Sequence, residues 1–327
     1  MIVSKTPLRI SFFGGGSDLP SFYNRKPGFV ISTSIDRSIM IAVNKCETDH
    51  VRLSYSTFEQ VNLAKDIKHD RVRHILAAFN IDSNIEITSF SDVPTKGTGL
   101  GSSSTFTVGL LKAILELKAD RPYNKCDLAE AACQVELEYC GEKIGKQDQY
   151  AAAYGGFNAI EFHSDGVSIS PINVGAERLQ KLNDNLLLYN TGISRKAAEL
   201  LQIQSKNVGK KGDAFESTSI MVDMAKLALI KLQKGDGSDF GAMLHEAWYL
   251  KKKLASGITT PAIDEMYEAG IKAGALGGKL LGAGGGGYML FYVTPKDKHS
   301  VVMAMEKMNK RRLDFKFTDE GSKAWTI

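Results

Sequence analysis

The sequence predicts an α+β protein with two lobes, and three observations support this fold class. The chain has 327 residues, more than most single domains, and 43% of them are hydrophobic, enough for a large core. Strand and helix patterns alternate in the first half, whereas helical periodicity dominates the second. A polar, turn-rich stretch lies between the halves, so we place the lobes at residues 1–180 and 181–327.

The first lobe begins with strands. Leu8, Ile10 and Phe12 alternate with polar residues, and β-branched runs follow at 29–43 and 51–56. The other elements predicted for this lobe are a helix at 71–79, a strand from about 85 into the loop at Pro94, a helix at 105–118, a helix from Asp127 to Tyr139 and a loop at 142–150. The second lobe is predicted to contain a strand at 185–190, helices around 195–206, 214–233, 239–255 and 261–273, a strand at 287–293 and a final helix.

Charge and composition narrow the range of partners. The 41 basic and 37 acidic side chains leave a net charge of +4, which gives no reason to expect nucleic acid as a partner. The N-terminal segment lacks the apolar core of a signal peptide and no later stretch resembles a membrane span, so we expect a cytoplasmic protein with no membrane partner. The sequence is compatible with a homo-oligomer. Four cysteines lack the paired spacing of a zinc site and are interpreted as small buried hydrophobic residues: Cys46, Cys126, Cys133 and Cys140.

A glycine- and serine-rich loop is the strongest functional signal. It lies between a predicted strand and the first turn of a predicted helix, and it contains Pro94, Gly97, Gly99, Leu100, Gly101, Ser102, Ser103 and Ser104. Glycines let backbone N–H groups approach a phosphate, and the helix start adds unpaired N–H groups and its positive dipole end. The alternative is a tight turn with a serine cap, which explains only one glycine and one serine. The Gly-Lys-Ser/Thr ending of a Walker A loop is missing.

A second glycine run occupies residues 282–287 and formally fits the GxGxxG pattern. A dinucleotide fingerprint follows a strand and opens a helix, whereas here a predicted helix comes before the run and a strand pattern after it. We therefore expect the backbone of this run to lie close to a ligand or to the first loop, and we assign Gly284 and Gly285 to the substrate side. Tight packing alone is the alternative.

Three acidic residues could act on a bound phosphate and its acceptor: Glu136, Asp148 and Asp18. Glu136 lies in the helix for which Asp127 and Glu130 have capping-box spacing, and its neighbours one turn away are mostly small or apolar. A carboxylate on such a face is costly unless it is paired or holds a metal. The two interpretations are therefore a metal ligand and a buried glutamate that pairs with an internal lysine.

Asp148 and Asp18 are weaker candidates when each is considered alone. Asp148 lies in a polar segment beside Lys146, which could contact phosphate, but aspartates before a helix are usually N-caps. Asp18 follows three glycines, where backbone can approach a ligand and a carboxylate can accept hydrogen bonds from sugar hydroxyls. A simple Asp-Leu-Pro turn is the alternative for Asp18.

Three motifs, in order, resemble the GHMP kinases, a family named for galactokinase, homoserine kinase, mevalonate kinase and phosphomevalonate kinase. The motifs are PLRISFFGGGSD, PTKGTGLGSSSTFTVG and KLLGAGGGGYML, so the resemblance extends from Pro7 to Leu290. It implies an N-terminal α/β lobe that binds ATP and a ferredoxin-like C-terminal lobe that closes over the substrate. ATP and Mg²⁺ are the implied cofactors.

The resemblance also implies roles for the loop and for Glu136. Ser103 matches the loop serine that binds Mg²⁺, and Glu136 matches the metal-binding glutamate. Ser102 and the loop glycines match the backbone that wraps the ATP phosphates.

On the acceptor side, Asp148 follows Glu136 by twelve residues, the spacing of the galactokinase branch. It matches the aspartate that acts on the substrate hydroxyl, and Arg9 matches the arginine near the transferred phosphate. Asp18 matches the aspartate that holds the sugar, and we include Gly16 and Ser17 before it in the substrate site.

Within the family, four segments are most similar to the branch that phosphorylates D-glycero-D-manno-heptose 7-phosphate, and L-fucose kinase domains are more distant. The segments are GGGSDLP, TGLGSSSTFTVGLL, GKQDQYAAAYGG and NTGISRKA. This similarity implies phosphoryl transfer to the anomeric hydroxyl of that sugar phosphate, giving the 1,7-bisphosphate. A kinase for another sugar such as fucose, or a sugar sensor that binds ATP without turning it over, is the alternative.

A phosphorylated substrate requires a cation to hold its phosphate. Arg195 and Lys196 follow an Asn-Thr-Gly turn at a predicted helix start and are the first candidates, and Lys146 and Arg25 are lesser ones. Each of them could equally be a solvated surface cation.

Overall fold

The computed structural model describes residues 1–94, 97–119, 122–194, 197–235 and 237–327, and within these ranges it has the predicted α+β fold. The strands are β1 (Ile2–Phe13), β2 (Gly28–Lys45), β3 (Val51–Ser54), β4 (Phe58–Val61), β5 (Ile85–Ser91), β6 (Phe157–His163), β7 (Gly166–Pro171), β8 (Leu186–Asn190), β9 (Gly277–Leu280), β10 (Tyr288–Tyr292), β11 (Arg311–Arg312) and β12 (Lys323–Thr326). In the same ranges, no helix combines the length and apolar character that a bilayer crossing requires.

The helices surround the strands of both lobes. They are α1 (Pro20–Tyr23), α2 (Asp70–Ala78), α3 (Ser102–Lys118), α4 (Lys125–Cys133), α5 (Gln147–Tyr154), α6 (Ala176–Asp184), α7 (Ala197–Val208), α8 (Asp213–Lys234), α9 (Phe240–Lys252), α10 (Pro261–Lys272) and α11 (Lys298–Lys307). A 3₁₀ turn spans Ala64–Asp66, and a π-helical turn spans Gln134–Tyr139.

An eight-stranded mixed sheet forms the first lobe, with the order β12-β1-β2-β5-β3-β4; β6 also pairs with β2, and β7 pairs with β6. β2 is long enough to pair with β6 along its first half and with β5 along its second. β1 is buried along nearly its whole length because α3 and α5 pack on it and α8 and α9 contact it as well. This central strand carries Arg9 into the space between the lobes.

The second sheet is antiparallel and has the order β11-β8-β10-β9. Counted within the lobe, these strands are the fourth, first, third and second, and helices connect the first to the second and the third to the fourth. This is the β-α-β-β-α-β arrangement of a ferredoxin-like lobe, with several helices in the first connection. The expectation of a ferredoxin-like second lobe is confirmed.

The middle of the first lobe differs from the sequence prediction in three places. The capping box of α4 is formed by Asn124 and Asp127, one turn earlier than predicted, because the Asn124 side chain accepts the backbone N–H of Asp127. The helix then widens into the π-helical turn that carries Glu136, instead of continuing as an α-helix to Tyr139. The predicted loop at 142–150 already contains the first turn of α5, and Asp148 lies in that turn.

The structure also contains helices and strands that the sequence did not predict. The polar stretch between the lobes contains β7 and α6, β9 precedes the second glycine run, and two short strands follow α11. The last of these, β12, returns to the first lobe and pairs with β1. The boundary between residues 180 and 181 stays a prediction.

The interpretation of the cysteines as buried hydrophobic residues is correct only for Cys133, because the other three are partly exposed. Cys46 lies where β2 ends, and its Sγ lies within 4.8 Å of donor atoms of His50 and Glu86. These three residues are half-buried, and Glu86 already has an ion-pair partner outside the group, because Arg52 Nη1 lies 2.8 Å from its Oε1.

The C-terminal segment packs closely on the end of α5. Gly155 follows that helix with a φ of +69°, and a Cβ placed on it would lie 2.1 Å from the carbonyl carbon of Glu320. Only glycine accepts both the left-handed backbone and this close approach.

We expect Gly155→Ala to lower the free energy of unfolding by about 2 to 4 kcal/mol, from left-handed strain together with overpacking. Gly166→Ala is the matched control, because a Cβ there meets no atom within 4 Å and its φ is not left-handed. Urea unfolding of both variants measures the difference, and equal losses would contradict the tight docking of the C-terminal segment.

Candidate active site

A cavity of about 480 Å³ lies between the lobes and brings together residues from all three sequence motifs. The predicted site residues along its wall are Arg9, Gly16, Asp18, Gly97, Gly99, Gly101, Ser102, Ser103, Ser104 and Asp148. Ser17 and Leu100 are buried in the core beside it, and Pro94 is exposed at the start of the loop. Gly284 and Gly285 come directly after Ala283, which borders the cavity.

The glycine- and serine-rich loop leads directly into α3, and its three serines have different surroundings. Gly101 occupies the N-cap position with a φ of +78°, so the helix begins at Ser102. The hydroxyls of Ser102 and Thr98 form a hydrogen bond of 2.7 Å, and Ser104 donates to Glu136 at 2.8 Å. Ser103 is the exposed serine of the first turn and lies on the cavity wall, where an anion would meet the helix N-terminus.

Arg9 and Asp148 form an ion pair on the wall of the cavity. Arg9 Nε donates to Asp148 Oδ1 at 2.8 Å, and Nη2 lies 2.6 Å from the same oxygen. Nη1 donates to the carbonyl of Gly99 at 2.6 Å. The N-cap interpretation of Asp148 is wrong, because Lys146 occupies the cap position of α5 and the carboxylate binds Arg9 instead. The pair touches the loop, since a Cβ on Gly101 would lie 3.3 to 3.4 Å from both side chains.

Asp18 lies beside the same helix start. Its Oδ1 accepts the backbone N–H of Gly16 at 2.9 Å, and its Oδ2 accepts that of Gln147 at 3.3 Å. The carboxylate therefore connects the glycine segment before it with the beginning of α5. Burial, and then the negative charge of Asp148, raises the pKa of Asp18. Two acids that interact this closely favour ligands that bring hydrogen-bond donors or a cation.

Glu136 is completely buried, as the apolar surroundings of its sequence position indicated, but its partner is an arginine and not a lysine. Arg71 Nε lies 3.2 Å from Oε1, and Thr107 donates to the same oxygen at 2.5 Å. Oε2 accepts from Ser104 at 2.8 Å and from Gln149 at 2.5 Å. Burial raises the pKa of Glu136, and the Arg71 charge acts against that shift.

The second glycine run packs against the first loop, as one of the two expectations for it stated. The Cα atoms of Gly99 and Gly282 are so close that a Cβ on Gly282 would lie 2.4 Å from Gly99. The N–H of Tyr288, at the end of the run, donates to the carbonyl of Thr98 at 3.0 Å. The run leads into β10, so it does not open a helix even though β9 precedes it, and the dinucleotide fingerprint is excluded.

The predicted substrate cations fall outside this cavity or outside the described residues. Arg195 and Lys196 lie outside the described residues. Lys146 borders a different cavity, with its ammonium 5.6 Å from the centre of the Tyr23 ring. Arg25 donates to the carbonyl of Gly209 at 2.9 Å and lies over Phe215, so it connects the lobes.

Two lysines that the sequence did not single out face the cavity. Lys251 on α9 is 7% exposed and Lys279 on β9 is 5% exposed. Lys279 Nζ donates to the carbonyl of Phe12 on β1 at 2.7 Å, which fastens the second lobe to the first. A helical pattern was available for Lys251, because it follows Leu244 and Trp248 on the buried face of α9.

Comparisons with known proteins decide the family. The family model for the GHMP kinases N terminal domain matches residues 62–156, and the model for the GHMP kinases C terminal domain matches residues 228–311. D-glycero-alpha-D-manno-heptose 7-phosphate kinase of Campylobacter jejuni is 32% identical and aligns over 100% of this chain and 99% of its own. The chain belongs to the GHMP kinase family. As a GHMP kinase it is a phosphotransferase with an alcohol group as acceptor.

Solved structures of GHMP kinases agree with this assignment. A D-glycero-D-manno-heptose 1-phosphate kinase from Bacteroides thetaiotaomicron has a TM-score of 0.82 at 27% identity, and the alignment covers 100% of this chain and 99% of that one. A sugar kinase of Campylobacter jejuni has a TM-score of 0.79 at 29% identity, with 100% and 98% covered. L-fucokinase/L-fucose-1-P guanylyltransferase of Bacteroides fragilis is 26% identical, but the match covers 92% of this chain and only 35% of that protein.

The Glu136–Arg71 pair predicts a specific pH dependence. Because burial raises the folded pKa of Glu136, its contribution to stability is present at low pH and is lost as pH rises through that folded pKa. In Arg71→Met the folded pKa rises further, so above the ordinary pKa of a glutamate the free energy of unfolding should fall more steeply with rising pH than it does in the wild type.

The double variant Arg71→Met/Glu136→Gln removes the charge on both sides and should lose this extra pH dependence. Urea unfolding at several pH values measures all three proteins. Parallel stability curves for the wild type and Arg71→Met would show that Arg71 does not control the ionisation of Glu136.

Proposed function

We propose that this GHMP kinase transfers the γ-phosphoryl group of ATP to the anomeric hydroxyl of D-glycero-D-manno-heptose 7-phosphate, giving the 1,7-bisphosphate. The observation that carries the proposal is the Arg9–Asp148 pair in direct contact with the glycine- and serine-rich loop, inside one cavity. Full-length similarity to heptose phosphate kinases supports the choice of a sugar phosphate as acceptor.

In the proposed reaction Asp148 orients the acceptor hydroxyl and accepts its proton, while Arg9 holds this carboxylate in place and turns positive charge toward the transferred group. Backbone N–H groups of the loop and the first turn of α3 receive the ATP phosphates. Asp18, a short distance along the wall, accepts hydrogen bonds from sugar hydroxyls.

Mg²⁺ fits this site through Ser103, an exposed oxygen donor at the helix start, together with phosphate oxygens. When bound, the ion neutralises charge on the phosphates. Glu136 is the proposed second ligand, but its two oxygens already accept from Ser104, Thr107 and Gln149 and pair with Arg71. A direct bond from Glu136 to the metal therefore requires one of these partners to be exchanged.

Two of the relatives are named for different heptose phosphates. The Campylobacter relative is named for heptose 7-phosphate, and the Bacteroides thetaiotaomicron structure for heptose 1-phosphate. Both relatives align over nearly the full length of both chains, and we propose the 7-phosphate because that relative has the higher identity, 32% against 27%.

A coupled ADP-release assay tests the proposal on heptose 7-phosphate, heptose 1-phosphate, unphosphorylated heptose and L-fucose. Heptose 7-phosphate should give the highest kcat/KM, with a product that carries phosphate at both ends. A preference for L-fucose or for heptose 1-phosphate would overturn the proposed acceptor. ATP binding without ADP release on any sugar would support the sensor instead.

For Asp148→Asn we expect kcat to fall by about 10² to 10⁴, the usual contribution of a positioned acid or base, with nucleotide affinity nearly unchanged. Nucleotide binding is measured by calorimetry and turnover by ADP release. Asn keeps the size of the side chain and one hydrogen bond to Arg9, so turnover close to that of the wild type would remove Asp148 from the mechanism.

Ser103→Ala should raise the Mg²⁺ concentration needed for half-maximal activity, because one oxygen ligand of the metal is lost. Ser102→Ala is the comparison, since that hydroxyl is turned toward Thr98 and should leave the Mg²⁺ requirement as it is. Identical Mg²⁺ titrations for Ser103→Ala and the wild type would exclude Ser103 as a ligand.

A further inference from the structure

Lys251 is a buried lysine on the wall of the cavity, and the proposed mechanism gives it no role. Its Nζ donates to the carbonyl of Leu280 at 2.9 Å and to that of Gly282 at 2.5 Å. Lysines are rarely buried, because removing an ammonium from water is costly unless other groups compensate. Here the compensation comes from two neutral carbonyls, one just before the second glycine run and one at its first residue, and within the described part of the chain Lys251 forms no ion pair.

A chain of short contacts connects Lys251 to the catalytic pair. Lys251 binds the carbonyl of Gly282, and Gly282 packs directly on Gly99. The carbonyl of Gly99 accepts from Arg9, and Arg9 binds Asp148. Each step is either a hydrogen bond shorter than 3 Å or a glycine–glycine contact that leaves no room for a Cβ, so a shift at Lys251 must displace the next group.

We propose that Lys251 is a positioning residue of the phosphoryl-transfer centre, which locks the second glycine run onto the phosphate loop and presents a positive charge to the bound nucleotide phosphates. This role rests on the proposed kinase function. Lys251 also brings a cation of the second lobe to the cavity. The full positive charge around the nucleotide phosphates is therefore assembled only when both lobes are in contact.

The charges around Lys251 make nucleotide binding sensitive to pH. Burial, and then the positive charge of Arg9, lowers the pKa of Lys251 to about 7, and Asp18 acts in the opposite direction. Lys279 lies close enough for Lys251 to lower its pKa as well. A polyanion favours the charged lysine and raises its pKa, so nucleotide should bind best below pH 7 and progressively less well as pH rises above it, with uptake of a proton.

Lys251→Met and Lys251→Arg test the proposal, with Lys253→Met as the matched control because Lys253 is exposed just after α9. At pH 6.5 Lys251→Met should weaken binding of Mg²⁺ and a non-hydrolysable ATP analogue about tenfold, as expected for the loss of one charged contact. Its kcat should fall as well, because the Arg9–Asp148 pair loses its support. Lys251→Arg should recover part of the affinity but not its dependence on pH above 7, since arginine stays charged.

Proton uptake on nucleotide binding gives a second readout. Calorimetry of analogue binding at pH 8 in two buffers of different ionisation enthalpy should show net proton uptake relative to the same titration of Lys251→Arg. Equal affinity, kcat and pH dependence in Lys251→Met and the wild type would overturn the proposal, as would equal proton uptake in the wild type and Lys251→Arg. These binding readouts are independent of the sugar, so a protein that shows them but phosphorylates no sugar would refute the proposed function and retain the nucleotide-binding role of Lys251.

Discussion

The contact between Gly99 and Gly282 is the constraint on which the site depends. Both residues have a left-handed backbone, and a Cβ on either would lie 2.4 Å from an atom of the other lobe. Backbone therefore meets backbone at a distance that only glycine permits. Because the Gly99 carbonyl also accepts from Arg9, the geometry of the catalytic pair is determined by how the lobes meet, and not by the first lobe alone.

The contact between the lobes also determines the electrostatics of the cavity. The cavity wall holds three cations, Arg9, Lys251 and Lys279, and two acids, Asp18 and Asp148. Burial disfavours the charged forms of Lys251, Lys279 and Asp18, and the like charges around each act in the same direction, so the pKa values of both lysines are lowered and that of Asp18 is raised. A bound phosphate adds negative charge, which favours the charged lysines and the neutral form of Asp18. Phosphate binding is therefore linked to proton uptake by the lysines and by Asp18.

The sequence predicted the parts of the site whose chemistry is local. A glycine-rich loop before a helix is recognisable because the residues that make it are neighbours in the chain, and the order of strands and helices gave the fold class. Lys251, Lys279 and Arg71 were missed because their roles come from partners distant in sequence: a carbonyl at 280, a carbonyl at 12 and a carboxylate at 136. The π-helical turn was missed for a different reason, because the residues around Glu136 fit an α-helical pattern equally well.

Glu136 shows how one carboxylate can satisfy a structural and a catalytic interpretation at once. With Arg71 and three hydrogen-bond donors it is a compensated buried charge, which needs no metal to be stable. Arg71 has a second acceptor, however, because its Nη2 lies 2.7 Å from Glu142. If a metal took one oxygen of Glu136, Arg71 would keep a carboxylate partner and would not be left as an unpaired buried cation. Glu142 therefore lowers the free-energy cost of the exchange that metal binding by Glu136 requires.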